Sequence, residues 1–277
     1  MNRVENLAHY ESLLNSMRSD RTGFASNCYL LPDEISRLCR EGQLYYRTCD
    51  SGLLLFHSRS RDTRLMAVVD IKKPLDKWVF ADLKGPLSCD FPSRRGLYPQ
   101  YTEGLMAMLE QVGFVRTATS VRLSFRPSLA QKNEIRAFSP QDGLTVSPAI
   151  SDRANEIMSL WEETFDCVSH NVPTLSELTP LITEGRVLCA LTEDDRIAGS
   201  ALTEFSASVG WVWHVAAAMR EQGVGRALMT CYHQLGLEQG VSAFQLWASS
   251  SDPGAEAFHC KLGYTPDNRM SVHFLLS

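Results

Sequence analysis

The chain reads as an α/β protein in two domains, each a sheet flanked by helices. Three observations predict this. Its 277 residues exceed one ordinary domain. Strand-like and helical patterns alternate along it. The stretch Pro127–Pro148, with Pro127, Pro140, Gly143 and Pro148 among polar residues, is the least periodic. The boundary is expected within that stretch, giving domains over 1–138 and 144–277.

In the first domain, helical patterning near residues 3–18 is followed by Leu31-Pro32-Asp33-Glu34, which opens a short helix. Strand-like runs follow at Gln43–Thr48, Leu53–Ser58, Arg64–Ile71 and Trp78–Leu83. A helix around Glu103–Val112 places Leu105, Met108, Leu109 and Val112 on one face. The second domain begins with Ser151-Asp152 capping a helix over Ala154–Phe165. Strands are expected at Val187–Thr192, Ile197–Phe205 and Trp211–Ala217, then a glycine-rich turn. A helix over Val224–Gln239 carries Val224, Leu228, Cys231, Tyr232 and Leu235 on one stripe. The strand Ala243–Trp247, a helix near Ala255–Leu262 and a last strand with alternating Met270, Val272, Phe274 and Leu276 complete the order. An internal echo links the halves: Met108–Phe114 and Phe258–Tyr264 both end a helix with apolar-Gly-aromatic. A duplicated fold and a common glycine cap both account for it.

Composition narrows the function classes. Hydrophobic residues at 44% and charged residues at 21% fit a chain with real cores. A formal charge of -5 gives no overall basic field for nucleic acid. Met1–Asp20 is mixed and charged, without the apolar core of a signal peptide, and no window approaches a membrane span, so a cytoplasmic protein is expected. Eight cysteines without a Cys-x-x-Cys pair point to no zinc site and no disulfide framework, and are expected to be mostly reduced and buried.

The chemistry concentrates at Arg220-Glu221-Gln222-Gly223-Val224-Gly225-Arg226, where a strand runs through a two-glycine turn into an amphipathic helix. A helix N-terminus carries unpaired N–H groups and about half a positive charge, so anions settle there. Glycines let the backbone approach a phosphate closely. Leu228 stands where a dinucleotide fold has its third glycine, and no Walker Gly-Lys-Ser/Thr exists.

Arg220-x-x-Gly223-x-Gly225 resembles the acetyl-CoA signature Gln/Arg-x-x-Gly-x-Gly/Ala of the GNAT superfamily. Downstream, Asp252-Pro-Gly-Ala255-Glu-Ala-Phe258-His259-Cys-Lys261-Leu262-Gly263-Tyr264 resembles that family's Asn-x-x-Ala-x-x-Leu-Tyr-x-Lys-x-Gly-Phe segment. The resemblance covers roughly residues 144–277. The first half matches only in outline, like a degenerate second copy. What the resemblance implies is a mixed, mostly antiparallel sheet splayed at the strand before the loop. Acetyl-CoA is the implied cofactor and CoA the product. Backbone amides over 221–226, from Glu221 to Arg226, would hold its pyrophosphate. Val215 and Ala217 would pair with the pantetheine amides, and Asp252 stands where the family often has Asn. His259 occupies the position of a tyrosine general acid.

Attack on a thioester needs a neutral amine, and deprotonating a lysine-like amine at pH 7 costs roughly 4–5 kcal/mol. The candidate bases are His214, on the strand before the loop, and Glu204, near the end of the preceding strand. His259 as imidazolium would protonate the leaving thiolate. Each has a plainer reading: His214 a core histidine, Glu204 a solvated carboxylate, His259 a helix histidine. Trp211, Trp213 and Trp247 are expected to pack the sheet, Cys260 to be structural, and Arg94-Arg95-Gly96 to be a surface turn. The acceptor is expected to be a primary amine of a small molecule or peptide, with no nucleic acid, membrane or metal. The segment Ser169–Ser176 is a candidate lining of its pocket. A catalytically silent acyl-CoA-binding module and an aminoacyl transferase acting on charged tRNA remain alternatives. Monomer and homodimer stay open.

Overall fold

The computed structural model describes residues 1–17, 24–28, 30–94, 99–141, 143–219 and 222–276. It forms two compact units, Met1–Thr119 with Asn268–Ser277, and Ser120–Asp267. The aperiodic stretch expected to be the boundary therefore lies inside the second unit. The reason is side-chain chemistry that periodicity does not register. Ser128 caps α4 (Leu129–Ala137) in a capping box with Gln131. Gln234 Nε2 then donates to the carbonyls of Ile135 and Phe138, at 2.8 and 2.9 Å.

The first unit runs β1 (Asn2–Arg3), α1 (Leu7–Met17), β2 (Phe24–Ser26), α2 (Pro32–Glu41), β3 (Leu44–Cys49), β4 (Gly52–Ser58) and β5 (Thr63–Asp70). A 3₁₀ turn (Lys77–Phe80), β6 (Leu87–Arg94), α3 (Pro99–Gln111) and the start of β7 (Val115–Phe125) follow. Its strands pair in the order β1-β3-β4-β5-β6, and β6 then pairs with the last strand, β13 (Thr265–Leu276), through Phe91↔Val272 and Cys89↔Phe274. Pairing is antiparallel except between β5 and β6, which meet in parallel at Thr63↔Leu87 and Arg64↔Ser88. The strand expected at Trp78–Leu83 is instead the 3₁₀ turn: Val79 and Phe80 are buried while Trp78 is exposed, so only part of the apolar run faces the core.

The second unit runs from the end of β7 through α4, β8 (Leu144–Pro148), a 3₁₀ turn (Ser151–Arg153), α5 (Ala154–Thr164), α6 (Leu175–Thr183), β9 (Val187–Thr192), β10 (Ile197–Phe205) and β11 (Val209–Ala217). Then come α7 (Val224–Glu238), β12 (Ala243–Ser249), α8 (Pro253–Lys261) and the first residues of β13. Its strand order is β7-β12-β11-β10-β9-β8, antiparallel except for the parallel pair β11·β12. One sheet face packs on α7 through Val212, Leu228, Tyr232, Phe244 and Leu246, and the other on α5 and α6 through Ile157, Trp161, Leu178, Leu202 and Ala216.

The element order of the first unit, β1-α1-α2-β3-β4-β5-β6-α3-β7, recurs as β8-α5-α6-β9-β10-β11-β12-α8-β13. The sequence echo is part of this repeat. Gly113 (φ +105°) and Gly263 (φ +94°) end α3 and α8 in the left-handed conformation. Phe114 N donates to Leu109 O at 3.0 Å, and Tyr264 N to His259 O at 3.2 Å. Each aromatic is buried and opens the long strand that follows. Among the described residues, β2 has no counterpart in the second unit, and α7 has none in the first.

Candidate active site

β11 and β12 pair in parallel only from Val209↔Ala243 to Val212↔Leu246. β11 nevertheless continues to Ala217, and β12 to Ser249 with its partners on β7. The two strands therefore part after Val212. Which backbone groups line the gap follows from the antiparallel pattern with β10. Ala218 N donates to Ala198 O at 2.8 Å, which makes Ser200↔Ala216 the next hydrogen-bonded pair. Val215 and Ala217 lie between these positions, so their N–H and C=O groups point away from β10 into the gap. Those are the two residues expected to meet pantetheine amides.

The register slips between Leu202↔His214 and Thr203↔Val212, leaving Trp213 in a β-bulge. The bulge reverses the alternation: Val212 and Val215 pack on the α7 side, while His214 and Ala216 turn toward α5. Trp213 is left exposed, stacked on Trp211 at 5.5 Å between ring centres, rather than packed in the sheet as expected.

Past the gap, α7 begins at Gly223, whose φ of +72° an L side chain rarely adopts. The first helical bond is Ala227 N to Gly223 O at 2.9 Å, so the amides of Val224, Gly225 and Arg226 have no partner within the helix. Among the described residues, no side chain caps them. Gly225 serves packing as well: a Cβ there would sit 3.1 Å from the Phe258 ring of α8. Gln141 Nε2 donates to Gln222 O at 2.6 Å and tethers the turn. Arg226 lies exposed with its guanidinium over Phe138. Arg220 and Glu221 of the expected cofactor loop, and Arg95-Gly96 of the first-domain turn, lie outside the described residues.

Asp252 is the N-cap of α8, with Oδ1 accepting from Ala255 N at 3.1 Å, a role Asn fills equally well. His259, on the same helix, is buried with Nδ1 unpartnered, edge-on to Phe258 at 4.9 Å and Tyr264 at 5.7 Å. Burial pushes its imidazole down to about 4. At neutral pH such a group is neutral, which weighs against the imidazolium form expected of it.

His214 is also buried and pushed down by desolvation to about 4. Its ring stacks on Trp161 at 5.4 Å and meets Phe165 edge-on at 5.3 Å. Nε2 lies 2.9 Å from His170 O. A carbonyl only accepts, so Nε2 carries the proton and Nδ1, buried without a partner, keeps its lone pair. Glu204 is engaged instead: Oε2 accepts from Arg186 Nη2 and Trp213 Nε1, both at 2.9 Å. The structure thus places His214 beside the gap-lining strand segment and the 165–172 loop, and ties Glu204 to Trp213.

Sequence reasoning missed Trp161, Phe165 and the His170 carbonyl, which hold His214, and Gln141, which holds the turn. The signal for α6 was present: Thr174 and Glu177 form a capping box. Cys260 is exposed and only Cys39, Cys89 and Cys189 are buried, fewer than expected; no disulfide joins any of the eight. Among the described residues, no helix is long and apolar enough to cross a membrane. No group of three metal-ligating side chains gathers among them.

The model of the acetyltransferase (GNAT) family matches residues 154–264, inside the second unit. No curated protein sequence matches the chain. Among solved structures, a GCN5-related N-acetyltransferase from Sphaerobacter thermophilus is 15% identical, covers 96% of this chain and 84% of its own, and superposes with a TM-score of 0.55. A tandem GNAT protein from the clavulanic acid biosynthesis pathway gives 11% identity, 82% and 78% coverage and a TM-score of 0.56. A glucosamine N-acetyltransferase region of a fungal multi-domain GH3 β-N-acetylglucosaminidase gives 14% identity, covers 98% of this chain and 37% of its own, and scores 0.60. At these identities the likeness establishes the fold.

Proposed function

Starting from residues 154–264 as a domain of the acetyltransferase (GNAT) family, we propose that the chain transfers an acyl group, acetyl by preference, from acyl-CoA to a primary amine. The observation that supports this most is the junction of an open strand edge with an uncapped helix N-terminus. The gap-facing amides and carbonyls of Val215 and Ala217 suit the amide pairs of a pantetheine arm. The amides of Val224, Gly225 and Arg226 suit a diphosphate. When bound, the thioester supplies an activated acyl group.

The chain's own contributions follow. The β11 edge and the α7 N-terminus bind and orient the donor. His214, its tautomer set by His170 O, offers the Nδ1 lone pair to an N–H of a neutral amine. With a pKa near 4 it takes a proton poorly from an alkylammonium, so the amine sheds its first proton to water. A backbone N–H of the gap edge stabilises the developing oxyanion, and His259 donates a neutral hydrogen bond toward the leaving group.

The test pairs calorimetry with CoA and acetyl-CoA with a thiol-release assay over an amine panel. Glucosamine belongs in that panel because one similar structure carries that activity in its name. Uptake with turnover of at least one amine is expected; no uptake sinks the proposal, and uptake without turnover for any amine leaves a silent acyl-CoA-binding module. A His259→Phe variant at full turnover removes that residue from the chemistry.

A further inference from the structure

The first unit repeats the geometry that opens the gap in the second. β5 and β6 pair in parallel only at Thr63↔Leu87 and Arg64↔Ser88, after which β5 runs on to Asp70. Asp70 N donates to Ser51 O at 2.8 Å, which fixes the pattern with β4 and turns the N–H and C=O groups of Leu65, Ala67 and Val69 outward. This is the edge equivalent to Val215 and Ala217.

Here the chain itself occupies that edge. β2 lies antiparallel on it, with Phe24↔Asp70, Ala25↔Val69 and Ser26↔Val68. Asn27 continues the ladder with its backbone N–H to Ala67 O at 3.3 Å. Its buried side chain does the rest: Oδ1 accepts from Ala67 N at 2.6 Å, and Nδ2 lies 3.3 Å from Leu65 O, 3.1 Å from Asp90 O and 3.0 Å from Cys89 Sγ. A primary carboxamide offers the same donor and acceptor as a pantetheine amide. Asn27 thus stands where such an amide would pair and also bridges to β6, the opposite wall. The segment joining β5 to β6 carries a four-residue 3₁₀ turn, against the fifteen-residue α7 between β11 and β12.

We infer that residues 24–27 are a built-in occupant of the first unit's ligand cleft, so that each chain takes up one acyl-CoA, in the second unit only. The identity of the ligand rests on the function proposed above; the occupation of the cleft does not.

Amide hydrogen exchange on the full chain tests both parts. In the free protein, the Ala67 and Val69 amides are expected to exchange slowly, and Asn27→Ala to speed Ala67 by at least tenfold. Fast exchange of both amides in the unsubstituted chain overturns the inference whatever the ligand does. With saturating CoA, calorimetry is expected to give one site per chain, with new protection over 213–230 and none over 63–70. Two sites, or protection that appears at 63–70, overturns it. No uptake anywhere, with Ala67 and Val69 still protected, leaves the plugged cleft standing and removes the proposed activity instead.

Discussion

The two units share one order of strands and helices but use the same strand edge in opposite ways. In the first, the edge of β5 beyond the parallel pair is filled by β2 and the Asn27 carboxamide. In the second, the edge of β11 is left unpaired beyond Val212, and a helix N-terminus follows it. A sheet topology therefore does not carry the site; the filling of one edge does. Saturated, the edge is structure. Open, it is the edge on which the proposed function seats a ligand with matching amides.

The units also differ in buried histidines, and this gives the largest expected effect. His214, His233 and His259 are all buried in the second unit and pushed down by desolvation, to about 4, about 3 and about 4. Among the described residues of the first unit, the partly buried His57 is pushed down to about 4, and the buried His273 is instead paired with Asp90, Nδ1 to Oδ1 at 2.6 Å. The folded values lie below the unfolded value of about 6.5, so nothing is lost above that pH. As pH falls from about 6.5 toward 4, the unfolded chain binds protons that the folded unit refuses, and stability drops. Each fully buried histidine contributes a loss on the order of 3 kcal/mol. The second unit should therefore acid-unfold first. Four of the chain's five tryptophans lie in it, so tryptophan fluorescence should change before hydrogen exchange reports opening of β4 and β5. Coincident transitions would count against the comparison.

A pair of substitutions separates the open edge from the closed one. Gly223→Val forces a β-branched side chain into φ +72°, and displaces the turn that presents the α7 amides. CoA affinity should weaken at least a hundredfold, about 3 kcal/mol, by calorimetry. Asn27→Asp puts a carboxylate beside the carbonyls of Leu65 and Asp90, at a position only 4% exposed. Urea unfolding should show a loss of about 2–4 kcal/mol in stability, while kcat/KM of the remaining folded protein stays within about twofold. If Asn27→Asp instead changes affinity for CoA at unchanged stability, the first unit is not the passive partner.

These features were unequally legible in the sequence. The glycine turn, α7 and the strands around it could be read because their signals are local: two glycines, a 3.6-residue apolar stripe, alternating strands. The plugged edge could not. Phe24-Ala25-Ser26 is too short to show a period, and the four partners of the Asn27 side chain lie 38 to 63 residues away. The bulge at Trp213 was equally hidden, because it depends on register with β10. The Gln141 tether spans 81 positions and has no local mark. The expected domain boundary shows the opposite failure: Pro and Gly mark turns, and a stretch rich in turns can still be packed.

Within the open edge, the two candidate bases should differ. His214→Phe keeps a ring between Trp161 and Phe165 but removes both nitrogens. kcat/KM should fall roughly ten- to a hundredfold, below the general-base maximum because an imidazole near 4 is a weak base. The fold should hold, by an unchanged far-UV spectrum, since burying a ring in place of an imidazole removes a desolvated group.

Glu204→Gln should do least. Its Oε2 is held by Arg186 and Trp213, and a glutamine oxygen can accept from both, so the Trp213–Trp211 stack should keep its place. Half-exposed, the Arg186 pair adds little stability. kcat/KM should stay within about threefold, with the pH–rate profile unshifted. A loss above about thirtyfold, together with disappearance of the limb that rises with pH, would make this carboxylate the proton acceptor. The bulge would then matter for bringing Glu204 and Trp213 together at the mouth of the gap, and His214 would be a core residue of the α5 face.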